Sequence, residues 1–272
     1  MTIENLFYSK SYHSMRIIYP GDYFNTKKVD EMYSEEAEAF RKIGFSISTH
    51  SATENPGTAY LEEKETVLYR GWMLKKEDYR TFESLVLQKN ARLFTSSSSY
   101  LATHHLPNWY DRLSLYTPET VAIADLETAE NVLESLAWNK YFIKDFVKSV
   151  KTSIGSVITD SHELPKIIDE MMRLRGEIEG GLCIRRFEEF IPHTEFRYFA
   201  IEGEPFSPNR QPCPEPVWFA AKRIQSPFFS IDIAQRTDGV LRIVEIGDGQ
   251  VSDRTGWSCD RFVEVLSQKL LK

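Results

Sequence analysis

Residues Phe229 to Val251 read FSIDIAQRTDGVLRIVEIGDGQV. Two apolar runs flank Asp238-Gly239, and each run carries one acidic residue, Asp232 in the first and Glu245 in the second. Asp-Gly is a strong signal for a two-residue hairpin turn, because a type I′ turn needs positive φ at both central positions. With those two residues as the turn, Thr237 and Val240 close the hairpin, and counting back along both strands sets Asp232 opposite Glu245. Facing residues on one side of an antiparallel pair have β-carbons about 5 Å apart. Two carboxylates so placed repel unless something neutralises them. A divalent cation does so, and Mg²⁺ favours one or two carboxylates together with substrate phosphates. The plainer readings of the stretch are a solvent-facing pair or a shifted register.

The rest of the chain sets the bounds. A length of 272 residues suits one large domain or a few subdomains with a substantial core. Hydrophobic residues at 42% and charged residues at 27% are ordinary for a globular protein. A net charge of -7 argues against nucleic acid as the partner. Cys183, Cys213 and Cys259 are far apart and form no CxxC, so neither a disulfide framework nor a cysteine zinc site is expected. No run approaches the 18 or so apolar residues a membrane span needs, and the expected setting is the cytoplasm.

Along the chain, MRIIY (15–19), GFSIST (44–49), TVLYRGWML (66–74) and ARLFTS (91–96) read as strands. Helical spacing separates them, first through Val29, Met32, Tyr33, Ala37, Phe40 and Ile43, then through Tyr79, Phe82, Leu85 and Val86. This alternation predicts an N-terminal α/β domain over residues 1–117, with ligands at strand carboxyl ends. The serines of 95–99 and the pair His104-His105 read as loop. From 118 to 272 the pattern is α+β, with a first part to about 188 and a second sheet beyond it. Asp160 with Glu163 predicts a capping box before a helix carrying Leu164, Ile167, Ile168, Met171 and Leu174. LCIRRFEEFI, EFRYFAI and PVWFAAKRI read as strand-like runs, and a helix with Phe262, Val263, Leu266 and Leu270 closes the chain.

Several charged residues sit inside these apolar runs. Lys144 in YFIKDF must find an anion or reach solvent. Arg186, Arg197 and Lys222 pose the same question; strand alternation lets only one of Arg185 and Arg186 point into a site, and Arg186 is the one chosen. VKSVKTSIGSVI (147–158) combines Lys148, Lys151 and Ser153 with Gly155 and Ser156, a composition that lets backbone N–H groups approach phosphate, although it is not a Walker loop. FEEFIPHTE (187–195) places Glu188 and Glu195 around a short apolar hinge. A hinge backbone offers fixed donors and acceptors, and a carboxylate suits a diol.

Taken together, Lys144, the hinge and the acidic hairpin resemble the ATP-grasp superfamily over about residues 120–272. YRGWML, HHLPNWYDRL and TPET resemble a small bacterial and phage clade of it, marked by two arginines and a lysine. The resemblance implies an ATP-grasp core behind a pre-ATP-grasp-like α/β unit. It implies Mg²⁺ on Asp232 and Glu245. Most members carry Asn two residues after the Glu; here Gly247 stands there and Asp248 follows as the candidate third ligand. ATP would be met by Lys144, by Lys151 and Ser153 of the covering loop, and by Arg186. The hinge Glu188, Glu189, Phe190 and Ile191 would hold adenine, with the backbone of Glu189 and Ile191 at its edge, and Glu195 would hold the ribose. Arg197 and Lys222 would stabilise charge on the transferred phosphoryl group. Arg70, Trp72, His104 and His105 are candidates for contact with the substrate. The implied activity is a ligase that activates a small-molecule or peptide carboxylate as an acylphosphate for attack by an amine or thiol. A phosphotransferase on the same fold and a non-enzymatic ATP-binding protein remain as alternatives.

Overall fold

A computed structural model describes residues 15–51, 57–147 and 155–271. Its contacts divide the chain into two compact units, the described residues up to Ser97 together with those from Asp253 onward, and Ser98–Ser252.

The first unit begins with β1 (Met15–Pro20), α1 (Glu31–Lys42), β2 (Ser46–His50), β3 (Thr66–Tyr69), α2 (Lys76–Leu87) and β4 (Arg92–Leu93). The strands form a parallel sheet in the order β2-β1-β3-β4, as the alternation of strand and helix requires. Asp30 caps α1 by accepting from Met32 N–H.

The second unit opens with α3 (Ser97–His104) and α4 (Leu106–Leu113), so the serines expected to form a loop instead start a helix. Next come β5 (Thr120–Ile123), α5 (Ala129–Leu136), β6 (Tyr141–Asp145), β7 (Val157–Ile158), α6 (Leu164–Arg175) and β8 (Leu182–Arg186). These strands make an antiparallel sheet in the order β5-β8-β6-β7. Tyr141, Ile143, Leu182 and Ile184 pack one of its faces against Ala129 and Leu133 of α5 and Leu164, Ile167 and Met171 of α6. The Asp160–Glu163 capping box forms on the short 3₁₀ turn leading into α6, and Gly176 ends that helix at φ 76°.

β9 (Phe196–Ile201), β10 (Glu204–Phe206), α7 (Glu215–Arg223), β11 (Phe228–Gln235) and β12 (Leu241–Asp248) complete the unit. Their antiparallel sheet runs β10-β9-β11-β12. PVWFAAKRI is a helix, not a strand. Val217, Ala220, Ala221 and Ile224 recur at helical spacing inside the continuous apolar run, and Pro216 in the first turn starts it. These residues pack with Ala200, Phe229, Ile231 and Ile246 of the sheet.

The last helix, α8 (Cys259–Leu270), belongs to the first unit and packs on α1. A buried charge cluster lies at this join. Glu36 of α1 accepts from Arg70 through Nε at 2.9 Å and Nη2 at 3.0 Å, from Tyr19 Oη at 3.0 Å, and pairs with Arg254 Nε at 3.2 Å. The Arg70 guanidinium also lies over the Phe262 ring, 4.8 Å from its centroid. Arg70 is 1% exposed and its charge is spent on Glu36, so the expected substrate contact gives way to a structural role. Removing one partner of a buried ion pair costs about 3–5 kcal/mol, because the other charge is left uncompensated. Glu36→Ala should lower the unfolding free energy by about that much in a urea titration. A loss no larger than that of an ordinary surface substitution would show that the cluster is not a stabilising pin.

Candidate functional site

The acidic hairpin closes differently from the expected turn. Arg236 N–H bonds the Val240 carbonyl and Gly239 N–H bonds the Arg236 carbonyl, both at 2.8 Å, so Thr237, Asp238 and Gly239 form a three-residue loop with Gly239 left-handed at φ 89°. Counted from that loop alone, Asp232 would miss Glu245. A bulge corrects the register: Ile233 pairs with Ile243, Asp232 pairs with Glu245, and Val244 is the extra residue. The two carboxylates therefore do face each other.

Positive charge meets them from two directions. On the neighbouring strand Arg197 is the register partner of Asp232, and its Nε and Nη2 donate to the two carboxylate oxygens at 2.8 and 2.6 Å. Glu245 makes no hydrogen bond or ion pair among the described residues. Lys144 and Cys183 are register partners on β6 and β8, as are Phe142 and Arg185, so all four occupy the face turned away from α5 and α6. Arg185 Nη1 donates to the carbonyl of the bulged Val244 at 2.8 Å, which ties the two sheets together at the bulge. Burial pushes the Lys144 ammonium below its ordinary pKa, with Glu245 opposing and Arg185 reinforcing the shift. Burial likewise brings Arg185 down to about 10, against the pull of Cys183 and Glu245. Arg185 Nε and Nη2 are buried with no hydrogen-bond partner among the described residues. Two buried cations, one with idle donors, beside a pair of facing carboxylates form a donor set that fits an anion carrying a divalent cation.

A family model for the ATP-grasp domain, family 3 of the clade marked by two arginines and a lysine, matches residues 56–266. The chain belongs to this ATP-grasp family. Curated protein sequences return no match. Among solved structures, the D-cycloserine synthetase DcsG is similar at a TM-score of 0.63 and 13% identity, over 94% of this chain and 99% of that one. A RimK domain ATP-grasp protein from Sphaerobacter thermophilus is similar at 0.60 and 13%, over 94% and 98%. The ATP-grasp ligase PsnB, solved with a minimal precursor, Mg and ADP, is similar at 0.57 and 13%, over 96% and 99%. ATP and Mg²⁺ are thus the cofactors of this ATP-grasp chain, and its donor set suits them. No helix among the described residues is long and apolar enough to cross a membrane.

The structure brings together Lys144, Arg197, Asp232 and Glu245 and moves several other expected ATP-grasp contacts elsewhere. The arginine turned into the site is Arg185; Arg186 is exposed and pairs with Glu119 at 3.4 Å. Lys222 is exposed on α7 over the Trp218 ring, and α7 covers the sheet face opposite the carboxylates, so it cannot stand beside them. Glu188 is clamped by Arg242, whose Nε and Nη2 donate to it at 2.8 and 2.9 Å. Arg242 also donates to the carbonyls of Leu115 and Thr117. The Glu189 carbonyl accepts from Thr237 N–H and Ile191 N–H donates to the Gln235 carbonyl, so the backbone atoms expected at the adenine edge hold the hairpin loop instead. In this bridge Phe190 pairs with Arg236, which directs the N–H and carbonyl of Phe190 itself to the other edge. Glu195 is exposed immediately before β9. Asp248 pairs with Phe229 and so falls on the sheet face opposite Glu245, with Oδ1 accepting from Gln250 N–H at 3.0 Å. Gly247 is on the carboxylate face, but a β-carbon there would lie 2.9 Å from the hydroxyls of both Ser230 and Ser252, which explains why no asparagine occupies it. Lys151 and Ser153 lie outside the described residues. Trp72 is 47% exposed against Tyr33, and His104 and His105 pair with Glu179.

Arg242 and Arg185 escaped the sequence reading although each carries the signal that singled out Lys144, a long cation inside an apolar strand. A hydrogen bond to a charged group contributes about 1.5–3 kcal/mol. Arg185→Met should therefore weaken binding of Mg-ATP by about tenfold or more in calorimetry, while Arg186→Met leaves it unchanged. Equal effects of the two substitutions would contradict the assignment.

Proposed function

We propose that this chain is an ATP- and Mg²⁺-dependent ligase that joins a small-molecule or peptide carboxylate to an amine or thiol. The observation that carries the reading is the pairing of Asp232 with Glu245 beneath the buried cations Lys144 and Arg185. ATP with Mg²⁺ supplies a phosphoryl group that converts the carboxylate to an acylphosphate, from which the amine or thiol displaces phosphate.

Asp232 and Glu245 hold the cation, and Asp232 shares its charge with Arg197. Lys144 and Arg185 neutralise the phosphates from the other sheet, where the absence of water strengthens each contact. The outward backbone of Phe190 takes the adenine edge, and Glu195, which alternation sets on the Arg197 side, takes the ribose hydroxyls. Arg197 is the remaining guanidinium at the carboxylate pair and meets charge developing on the transferred group. The rate gain comes from positioning and charge neutralisation, with no protein nucleophile.

The titles of the similar structures are consistent with such chemistry. They describe a D-cycloserine synthetase, PsnB with a minimal precursor, and the macrocyclase MdnC bound with precursor peptide MdnA.

Phosphate release from Mg-ATP should require both an acid and an amine or thiol, and the product mass should equal the condensed pair. A stable phosphorylated product formed without an amine would make the chain a phosphotransferase. Nucleotide binding with no turnover in any mixture would overturn the enzymatic reading. Asp232→Asn should reduce Mg²⁺-dependent turnover by about 100-fold or more with an unchanged circular dichroism spectrum. Retained turnover would refute the metal assignment.

A further inference from the structure

His104 and His105 are adjacent in sequence, yet both direct Nε2 at the same oxygen. His105 Nε2 lies 3.0 Å and His104 Nε2 3.3 Å from Oε1 of Glu179. Adjacent side chains diverge by about 100° on a helix and point to opposite faces on a strand. They converge here because the chain breaks between them: His104 ends α3, and His105 is the extended N-cap of α4 at φ -100° and ψ 123°. The break is held by Leu106 N–H, which bonds the Phe146 carbonyl at 2.8 Å. His104 is stacked on Tyr100, with centroids 4.8 Å apart.

The third group is placed just as firmly. Glu179 precedes Gly180 and Gly181, whose φ values are 78° and 133°. A β-carbon on Gly180 would meet the Phe146 ring at 2.5 Å, and one on Gly181 would meet the Ile123 carbonyl at 2.2 Å. This turn therefore needs glycine for both conformation and space, and it carries Glu179 against the two imidazoles.

Hydrogen bonding does not satisfy the cluster. The His104 side chain is 2% exposed, and its Nε2 is buried without a hydrogen-bond partner despite the nearby carboxylate. A buried ring nitrogen left in this way is costly. One ligand atom from each of the three residues lies within 4.8 Å of the others. A tetrahedral zinc ion with bonds of about 2.0–2.1 Å spaces its ligand atoms about 3.3 Å apart.

We propose that His104, His105 and Glu179 form a binding site for a borderline divalent transition metal, with Zn²⁺ as the fitting ion. Two neutral imidazoles and one carboxylate make the donor set, and the fourth tetrahedral position is open to water on the partly exposed side of His105 and Glu179. The set differs from Asp232 and Glu245, which are all-oxygen and suit Mg²⁺. The ion clasps the α3–α4 break to the Gly180-Gly181 turn beside Phe146, where β6 ends.

The test is titration of the full chain, thiols blocked, with Zn²⁺ against a chromophoric chelator, followed by X-ray absorption. One ion per chain should bind with a Kd of about 1 μM or tighter. The absorption should show only nitrogen and oxygen neighbours at about 2.0–2.1 Å. Glu179→Gln and His105→Asn, each checked for an unchanged melting temperature without metal, should weaken binding at least about tenfold. Asp232→Asn should bind Zn²⁺ as tightly as the parent. Absence of stoichiometric binding, sulfur neighbours, or parental affinity in both substituted proteins would overturn the proposal.

Discussion

Two like charges facing each other across a β-ladder cannot be left alone, and the second unit is arranged around that constraint. Asp232 and Glu245 are held together by backbone register, so their repulsion has to be met by placing cations rather than by moving apart. Arg197 meets Asp232 from within the same sheet, while Lys144 and Arg185 approach from the other sheet. Neither sheet contains a complete site. The shared charge balance makes their meeting a place for a metal-bound polyphosphate.

The register itself is set by a compensation. A three-residue loop shifts the pairing by one position, and the Val244 bulge shifts it back. The bulge also releases the Val244 carbonyl from the ladder to receive Arg185. One irregular residue thus returns the carboxylates to opposition and fastens the sheet that supplies the cations. The same face shows why Gly247 departs from the family pattern, since Ser230 and Ser252 fill the space an asparagine side chain would need.

Buried arginines in the two units show that burial alone does not mark a site. Arg70 is fully enclosed, and Glu36 takes both ends of its fork. Arg185 is equally enclosed, but one donor reaches a backbone carbonyl and two have no partner among the described residues. The first stabilises a helix packing. The second holds charge in readiness, because only a ligand can supply the missing acceptors.

Much of this was legible in the sequence. Period-two and helical spacing located β1, α1, β2, β6, β9 and the closing helix, and the Asp-Gly turn signal with its flanking acids pointed to the facing pair. Lys144 announced itself as a lysine inside an apolar run. PVWFAAKRI misled, because an unbroken apolar run hides its period, and Lys222 followed the helix to the wrong side of the sheet. Local pattern determines which residues alternate and where chains turn, because those depend on dihedral preference and solvent exposure. The face each charge occupies, the partner that Glu188 finds in Arg242, and the choice of Arg185 over Arg186 depend on one bulge and on packing between segments distant in sequence. Those were decided only when the tertiary structure formed, because electrostatic pairing is a property of distance in space.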